Sequence, residues 1–265
     1  MGFHTADDGC RLWLEQAGQG GPLVMLIPGL GGDGRFWSAV ASRLEASYRL
    51  LMPDHRGAGR SDRPDGEYSI GRITRDIVSI IAAQTVPVHV VGHSTGGAIV
   101  QTLALDYPGV AASHVISSSW ARSDARFRML FKARADLLHA NMPETYQRLT
   151  NILGYDSAYL ATHEDTLDGL VATAADRLAP LGVTAQRVEM LLDHDRLLDL
   201  GRIRGPVRVI GAQEDHLTPL SMSRDIANAI PGAEFEIVEG GHFHPVSHPD
   251  AFAQCLNDFL SKVTE

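Results

Sequence analysis

The sequence predicts an α/β fold: a mostly parallel central sheet flanked by helices, with a helical insertion. Short apolar runs recur along the chain, and helical patterns separate most of them. Some runs are continuously apolar, which is typical of strands buried on both faces. Between 121 and 200 the strand signal stops and only helical patterns follow. Strands separated by helices favour a parallel sheet covered on both faces.

Residue patterns place the individual elements along the chain. Apolar runs bounded by turn residues predict strands over Cys10–Glu15, Leu23–Ile27, Tyr48–Met52, Val86–Val91, Val115–Ser119, Val207–Ile210 and Phe235–Val238. Helical spacing of apolar residues predicts helices over Phe36–Leu44, Ser69–Ala83, Ala98–Tyr107, Leu220–Ile230 and Ala251–Lys262.

The helical stretch divides the chain into a core and an insertion. We expect residues 1–120 and 201–265 to form one core domain, and residues 121–200 to form a helical cap. Ligands bind at the carboxyl ends of the strands in open α/β sheets, and an insertion above that edge is a candidate lid. A single core of this size is ordinary for a chain of 265 residues.

Composition limits the classes of partner. The net charge is -9 and basic residues form no block, which argues against nucleic acid or an anionic membrane as a partner. No run approaches the roughly 20 apolar residues of a membrane span, and the start lacks the pattern of a signal peptide. We expect a cytoplasmic monomer or homodimer that acts on a small molecule without a cofactor. Cys10 and Cys255 are expected to be reduced thiols, although one disulfide stays open.

A candidate nucleophile lies in the pentapeptide Gly92-His93-Ser94-Thr95-Gly96. The pattern G-x-S-x-G is short, but here a buried strand precedes it and a helix follows it. Such a turn exposes the serine, and the N–H of Thr95 at the helix start is placed to receive an oxyanion. The competing interpretation is that Ser94 only caps the helix.

A serine hydroxyl needs a base, and the base needs an acid. Among twelve histidines, His242 follows a strand and the Gly240-Gly241 turn. Asp215 follows the predicted strand Val207–Ile210, and we interpret it as the acid. Two alternatives are that Glu214 is the acid and that His242 is a solvated surface residue.

A second oxyanion donor is expected in the turn Gly29-Leu30-Gly31-Gly32, which follows the strand Leu23–Ile27. We predict that the N–H of Leu30 supplies it. A Gly-rich turn can also be only a tight connection. A phosphate loop is disfavoured, because the turn lacks both the G-K-[ST] ending and the G-x-G-x-x-G spacing.

These segments together resemble the α/β-hydrolase superfamily over nearly the whole chain. The resemblance includes the segment from Asp54 to Asp62 and the order Ser94, Asp215, His242. It implies the α/β-hydrolase fold with those three residues as a catalytic triad. Where the family usually has His-Gly in the oxyanion loop, this chain has Pro28-Gly29, which changes the surroundings of a backbone donor rather than the mechanism.

Within the superfamily, the chain looks most like 3-oxoadipate enol-lactonases and the aminoacrylate hydrolases of pyrimidine utilisation. That likeness rests on the turn Gly29–Gly32, Phe36-Trp37, the segment Ala104–Pro108, and Trp120 followed by an Arg-rich helix. It implies a small polar acid cleaved at a C–N or lactone C–O bond.

The predicted function is a serine hydrolase that acts through an acyl-enzyme on a small ester, lactone or C–N bonded carboxylic-acid substrate. The alternatives are a C–C bond hydrolase of ring-cleavage products, and a slow-turnover receptor or perhydrolase of the same fold. No metal site is expected, because the histidines lack ligand spacing outside His242-Phe243-His244, where the base is required.

Residues that contact substrate are predicted less directly. Gly29 in the oxyanion turn, Trp120, Arg122 and Phe243 are the candidates. Trp120 fits a pocket wall and a core position equally. An arginine of the first cap helix fits either a carboxylate site or a solvated face, and Arg122, Arg126 and Arg128 share that ambiguity.

Overall fold

The computed structural model describes residues 1–264 and contains one eight-stranded sheet. The strands are β1 Gly2–Thr5, β2 Arg11–Ala17, β3 Leu23–Ile27, β4 Arg49–Pro53, β5 Val88–His93, β6 Ser113–Ser117, β7 Val207–Ala212 and β8 Glu234–Val238. Their order in the sheet is β1-β2-β4-β3-β5-β6-β7-β8. The pairs β1–β2 and β2–β4 are antiparallel, and the others are parallel. The predicted mostly parallel sheet is confirmed.

The central strands are buried along their whole length. Every residue of β3, β5, β6 and β7 is buried, as expected of strands covered on both faces. In the register of the sheet, Ile27 of β3 lies opposite Gly92 of β5, and His93 lies opposite Ser117 of β6. The carboxyl ends of these three strands therefore meet at one point of the sheet edge.

Helices cover both faces of the sheet. They are α1 Ser38–Leu44, α2 Ile70–Ala82, α3 Thr95–Asp106, α4 Ala125–His139, α5 Pro143–Gly154, α6 Ser157–Thr162, α7 Glu164–Ala172, α8 Ala174–Arg177, α9 Leu181–Glu189, α10 Leu220–Ala229, α11 His244–Ser247 and α12 Pro249–Thr264. Short 3-10 turns occur at Gly34–Trp37, Met190–Asp193 and Leu200–Arg202. No helix within residues 1–264 is long and apolar enough to cross a membrane.

Two apolar clusters hold the layers together. One contains buried residues of α2, α3 and α10, and the other contains buried residues of α1 and α12. Burial of apolar area of this kind supplies most of the driving force for folding. Cys10 belongs to the first cluster and Cys255 to the second, and both are buried free thiols. The disulfide that the sequence left open is therefore absent from the described chain.

The helices α4 to α9 form the insertion between β6 and β7. Its two ends meet where Arg122 and Asp195 form an isolated antiparallel bridge and where Arg196 N–H donates to the Ala121 carbonyl at 2.7 Å. Insertion residues such as Phe127 and Val188 share the first apolar cluster with strand residues. The insertion is thus packed onto the core rather than held by a linker.

One strand was not predicted, and the bounds of several other elements differ by up to three residues; β5, for example, spans Val88–His93 rather than Val86–Val91. Strand β1 was not predicted, because its residues alternate between half-buried and exposed and form no apolar run. Strand β6 begins at Ser113 rather than Val115. Its first two residues are polar but buried, and the Ser113 hydroxyl is hydrogen-bonded to His89 Nδ1 at 2.8 Å.

Candidate active site

The turn between β5 and α3 places Ser94 in a strained conformation. Its φ is 55° and its ψ is -115°, a region that residues other than glycine rarely occupy. The backbone is held there by hydrogen bonds: Ser94 N–H donates to Ser117 O at 2.8 Å, and Ser119 Oγ donates to Ser94 O at 2.8 Å. The Ser94 side chain makes no capping hydrogen bond to α3. Ser94 thus occupies the N-cap position of α3, but its hydroxyl does not cap the helix, and the interpretation of Ser94 as only a helix cap is wrong in that respect.

The glycines around Ser94 are required by close contacts. A Cβ at Gly92 would lie 2.1 Å from the Gly96 carbonyl oxygen, and a Cβ at Gly96 would lie 2.2 Å from the Ile27 carbonyl oxygen. Both distances are far inside van der Waals contact. The strand, the turn and the helix can pack this tightly only because both positions lack a side chain.

His242 and Asp215 form a buried pair. His242 Nδ1 lies 2.7 Å from Asp215 Oδ2, and the two residues are 2% and 4% exposed. Asp215 also accepts from the N–H groups of Leu217 and Thr218, at 2.9 and 2.8 Å, and from Thr218 Oγ1 at 2.9 Å. Burial alone raises the pKa of Asp215, but the interactions with His242 and Thr218 outweigh it and lower the pKa.

This carboxylate determines the form of the ring. An ionised Asp215 accepts a hydrogen bond from the N–H at His242 Nδ1, and the proton stays on the ring, which leaves Nε2 as an acceptor. Glu214 is exposed and makes no hydrogen bond to His242 in the described chain. The structure therefore brings Asp215, and not Glu214, to the histidine. The alternative of His242 as a solvated surface residue is wrong, since the side chain is buried.

The predicted oxyanion donors lie on either side of Ser94. A Cβ at Gly29 would lie 3.2 Å from Ser94 Cβ, so the turn after β3 runs directly past the serine. The Gly32 N–H donates to the Gly29 carbonyl at 2.9 Å and closes this turn. Within residues 1–264, the N–H groups of Leu30 and Thr95 donate to no protein acceptor. Both are thus available to a ligand.

Arg187 of the insertion fastens the oxyanion turn. Its Nη1 donates to the Arg56 carbonyl at 2.6 Å and its Nη2 to the Leu30 carbonyl at 2.9 Å. Burial lowers the pKa of Arg187 to about 10. Sequence reasoning missed this residue, because one arginine in a charged helical stretch carries no signal of its partners.

The insertion also contacts the loop that carries His242. Phe243 N–H donates to the Gly154 carbonyl at 2.8 Å. A Cβ at Gly154 would lie 2.1 Å from Cε2 of the Phe243 ring, so the ring rests directly on the end of α5. The insertion therefore contacts both the turn at Gly29–Gly32 and the loop that carries His242.

Ser94 and His242 border one cavity of about 310 Å³ between the sheet edge and the insertion. Of the residues predicted to contact substrate, Gly29 and Phe243 line it. The full lining contains residues of the segment after β3, of the loops that carry Ser94 and His242, and of the insertion: Pro28, Gly29, Leu30, Gly31, Gly32, Asp33, Phe36, His93, Ser94, Phe131, Arg134, Tyr146, Gln147, Thr150, Arg177, Leu178, Leu191, Leu217, His242 and Phe243.

Two predicted substrate residues lie elsewhere. Trp120 is 1% exposed and packs against Phe127, with ring centroids 4.8 Å apart, so it is a core residue. Arg122 forms an exposed ion pair with Asp195 at 3.0 Å. Neither residue lines the cavity, and both predictions are corrected.

Arg126 and Arg128 of α4 do not line the cavity either. Arg126 donates to the His216 carbonyl at 2.6 Å, and Arg128 donates to the Ser123 carbonyl. The cavity is lined instead by Arg134 and Arg177, which sequence reasoning did not single out.

Comparison with known proteins agrees with the observed fold and identifies relatives of the chain. A family model described as the alpha/beta hydrolase fold matches residues 22–249. A carbamate hydrolase RutD of Variovorax paradoxus is 34% identical over 248 residues, which cover 92% of this chain and 93% of that protein. A RutD of Caulobacter vibrioides is 33% identical, with 91% and 93% covered.

Solved structures give the same fold. The enol-lactonase of Burkholderia xenovorans superposes with a TM-score of 0.87 at 21% identity, covering 98% of this chain and 99% of that one. A protein named non-heme bromoperoxidase BpoC, of Mycobacterium tuberculosis, superposes with a TM-score of 0.83 at 28% identity, covering 96% and 97%. The α/β-hydrolase resemblance drawn from the motifs is confirmed.

Proposed function

The chain belongs to the α/β-hydrolase family, and on that premise we propose that it is a serine hydrolase that forms an acyl-enzyme on Ser94. The substrate is a small ester, lactone or C–N bonded carboxylic acid. The observation that carries the proposal is His242, which is hydrogen-bonded to the buried Asp215 and lines the same cavity as the strained serine. The RutD relatives and the enol-lactonase, named for carbamate and lactone hydrolysis, agree with acyl chemistry.

The mechanism follows from the roles of the residues. His242 Nε2 takes the proton of Ser94 Oγ as that oxygen attacks the acyl carbon. The N–H groups of Leu30 and Thr95 hold the negative oxygen of the tetrahedral intermediate. His242 then gives its proton to the leaving alcohol or amine, and the acyl group stays on Ser94.

The second half of the reaction reverses the first. A water molecule loses a proton to His242 and attacks the acyl-enzyme, and Ser94 Oγ leaves with the proton returned from the ring. In this proposal the helical segment 121–200 acts as a cap that encloses the cavity. A volume of about 310 Å³ is at the small end of ligand sites, so the substrate is small.

The test compares wild type with Ser94→Ala on esters, lactones, amides, enamine acids and dienoic ring-cleavage products. We expect turnover of the preferred substrate to fall by about 10³-fold or more, without loss of fold. A fluorophosphonate probe should label wild type at Ser94, as located by mass spectrometry. Ser42→Ala is the matched control, since Ser42 is exposed on α1 and remote from the cavity.

Several outcomes would contradict the proposal. Wild-type turnover in Ser94→Ala would exclude the covalent mechanism, and so would labelling at another residue. A burst of product without steady turnover would indicate a receptor instead. Turnover of dienoic acids alone would indicate that the enzyme cleaves C–C bonds instead.

A further inference from the structure

We propose that Arg134 binds a carboxylate that the substrate carries away from the bond to be cleaved. Arg134 would then be the residue that makes this site prefer anionic over neutral acyl compounds. The inference rests on the proposed function, because it takes the cavity at Ser94 as the substrate site. It adds a specificity-determining residue and a charge to that substrate.

The first observation is that the guanidinium is buried with donors left over. Arg134 is 3% exposed. Its Nη2 donates to Tyr146 Oη at 3.1 Å and to Thr150 Oγ1 at 2.9 Å, and both partners are uncharged. Its Nε is buried without a partner, and its Nη1 donates to no residue among 1–264. The two N–H groups of Nη1 are therefore unused by the protein.

The second observation is the contrast with other buried arginines. Arg56 lies 2.6 Å from Asp76 and 2.8 Å from Asp8, so its charge is compensated. Arg187 has no carboxylate partner, but its donors are occupied by two backbone carbonyls. In the described part of the chain, Arg134 has no carboxylate within 4.0 Å. A buried cation without a counter-ion is costly, and an anionic ligand would remove that cost.

The third observation is the position of the group. Arg134, with Tyr146 and Thr150, lines the same cavity as Ser94 and His242. The guanidinium lies over the rings of Phe131 and Tyr146, 5.1 and 4.8 Å from their centroids. These contacts hold the charged group in one orientation, which reduces the entropy lost when a ligand binds.

The charge of the cavity has the required sign. Arg177 is exposed, lines the cavity and forms no ion pair with a described residue. The one carboxylate in the lining, Asp33, is paired with Arg35 at 2.5 Å. A carboxylate that enters the cavity therefore meets uncompensated positive charge.

The experiment uses two esters of equal shape and different charge. Mono-p-nitrophenyl glutarate carries a carboxylate where p-nitrophenyl 5-methylhexanoate carries an isopropyl group. We expect wild type to favour the anionic ester in kcat/KM by about tenfold or more, the range of a hydrogen bond to a charged group. Arg134→Met should bring that ratio close to one, because the anionic ester loses far more in kcat/KM than the neutral ester does.

Two further variants control for the change. Arg134→Lys keeps the charge, and we expect it to retain part of the preference. Arg148→Met removes an exposed arginine from α5, outside the cavity lining, and should leave the ratio unchanged. If Arg134→Met does not fold, Arg134→Gln takes its place, because it removes the charge and keeps a hydrogen-bond donor, and a ratio equal to that of wild type would then overturn the proposal.

Direct binding separates this inference from the serine mechanism. Glutarate binding, measured by calorimetry, should persist in Ser94→Ala and weaken by about tenfold or more in the double variant with Arg134→Met. If wild type hydrolyses neither ester, the glutarate comparison tests Arg134, and the wider substrate panel with Ser94→Ala tests the serine mechanism separately. An unchanged anion preference or unchanged glutarate binding in Arg134→Met overturns the inference.

Discussion

Replacing Asp215 by asparagine tests whether the carboxylate determines which ring nitrogen of His242 carries the proton. The carboxylate accepts from the N–H groups of Leu217 and Thr218 with Oδ1, and from His242 Nδ1 with Oδ2. An asparagine keeps one oxygen for the two backbone donors. Its NH₂ group then faces His242 Nδ1 and donates where the carboxylate accepted. The ring proton moves to Nε2, which can no longer take the proton of Ser94.

The contacts indicate how large the effect is. A base in the wrong tautomer costs about 10⁴-fold in kcat in serine proteases with the same three residues, which is about 5.5 kcal/mol of activation free energy. Stability should change far less, because the two backbone hydrogen bonds persist. We expect the free energy of unfolding to change by less than about 2 kcal/mol.

The assay measures kcat with a p-nitrophenyl ester beside urea unfolding of the same preparation. Glu214→Gln is the matched control: it removes the adjacent, exposed carboxylate and should leave kcat within about twofold, as is usual for surface substitutions. Retention of more than a tenth of wild-type kcat in Asp215→Asn would refute the role assigned to Asp215. An equal loss in Glu214→Gln would do the same.

Two further changes test the packing and the buried charges. Gly96→Ala should lower the free energy of unfolding by about 3 kcal/mol, because its Cβ would meet the Ile27 carbonyl oxygen at 2.2 Å. Gly71→Ala, in open space on α2, should raise it by about 0.5–1 kcal/mol, and urea unfolding that shows equal effects would contradict this reasoning. Burial lowers the pKa of His194 from 6.5 to about 4, so unfolding takes up a proton between those values. The free energy of unfolding should therefore fall as pH falls from 6.5 towards 4, by about 1.4 kcal/mol per pH unit for this residue. His194→Gln should reduce the slope of unfolding free energy against pH by the equivalent of about one proton. An unchanged slope would exclude the contribution of His194.

Local sequence was enough to predict the sheet and the turn at Ser94. Strand β3 is apolar at every residue, a pattern that suits burial on both faces and few other settings. Gly92 and Gly96 are required because an added Cβ would lie 2.1 Å from the Gly96 carbonyl oxygen and 2.2 Å from the Ile27 carbonyl oxygen, which belong to the strand–turn–helix unit itself and to its neighbour β3. Such features depend on short stretches of chain.

The lining of the cavity depends on how the insertion packs, which local patterns do not encode. Arg122 and Arg134 are both arginines in the same helical region. Arg122 is exposed beside Asp195, whereas Arg134 is buried by contact with Tyr146 and Thr150 of the next helix. The packing of α4 against α5 places Arg134 at the cavity, whereas Arg122 precedes α4 and lies at the surface. Local sequence does not show this difference, so it predicted the wrong arginine for the cavity lining.

The insertion is hydrogen-bonded to the turn at Gly29–Gly32 and to the loop that carries His242. These contacts limit how the insertion can be exchanged or moved. Arg187 holds the Leu30 carbonyl, and Gly154 holds the Phe243 N–H. A chimera that received the insertion of a relative would lose these two contacts with the candidate site. A movement of the whole insertion would break the same contacts at each opening. Small movements of side chains at the mouth of the cavity would admit a substrate without breaking them. The insertion is in this sense part of the framework of the candidate site, and engineering of specificity should begin with side chains inside the cavity.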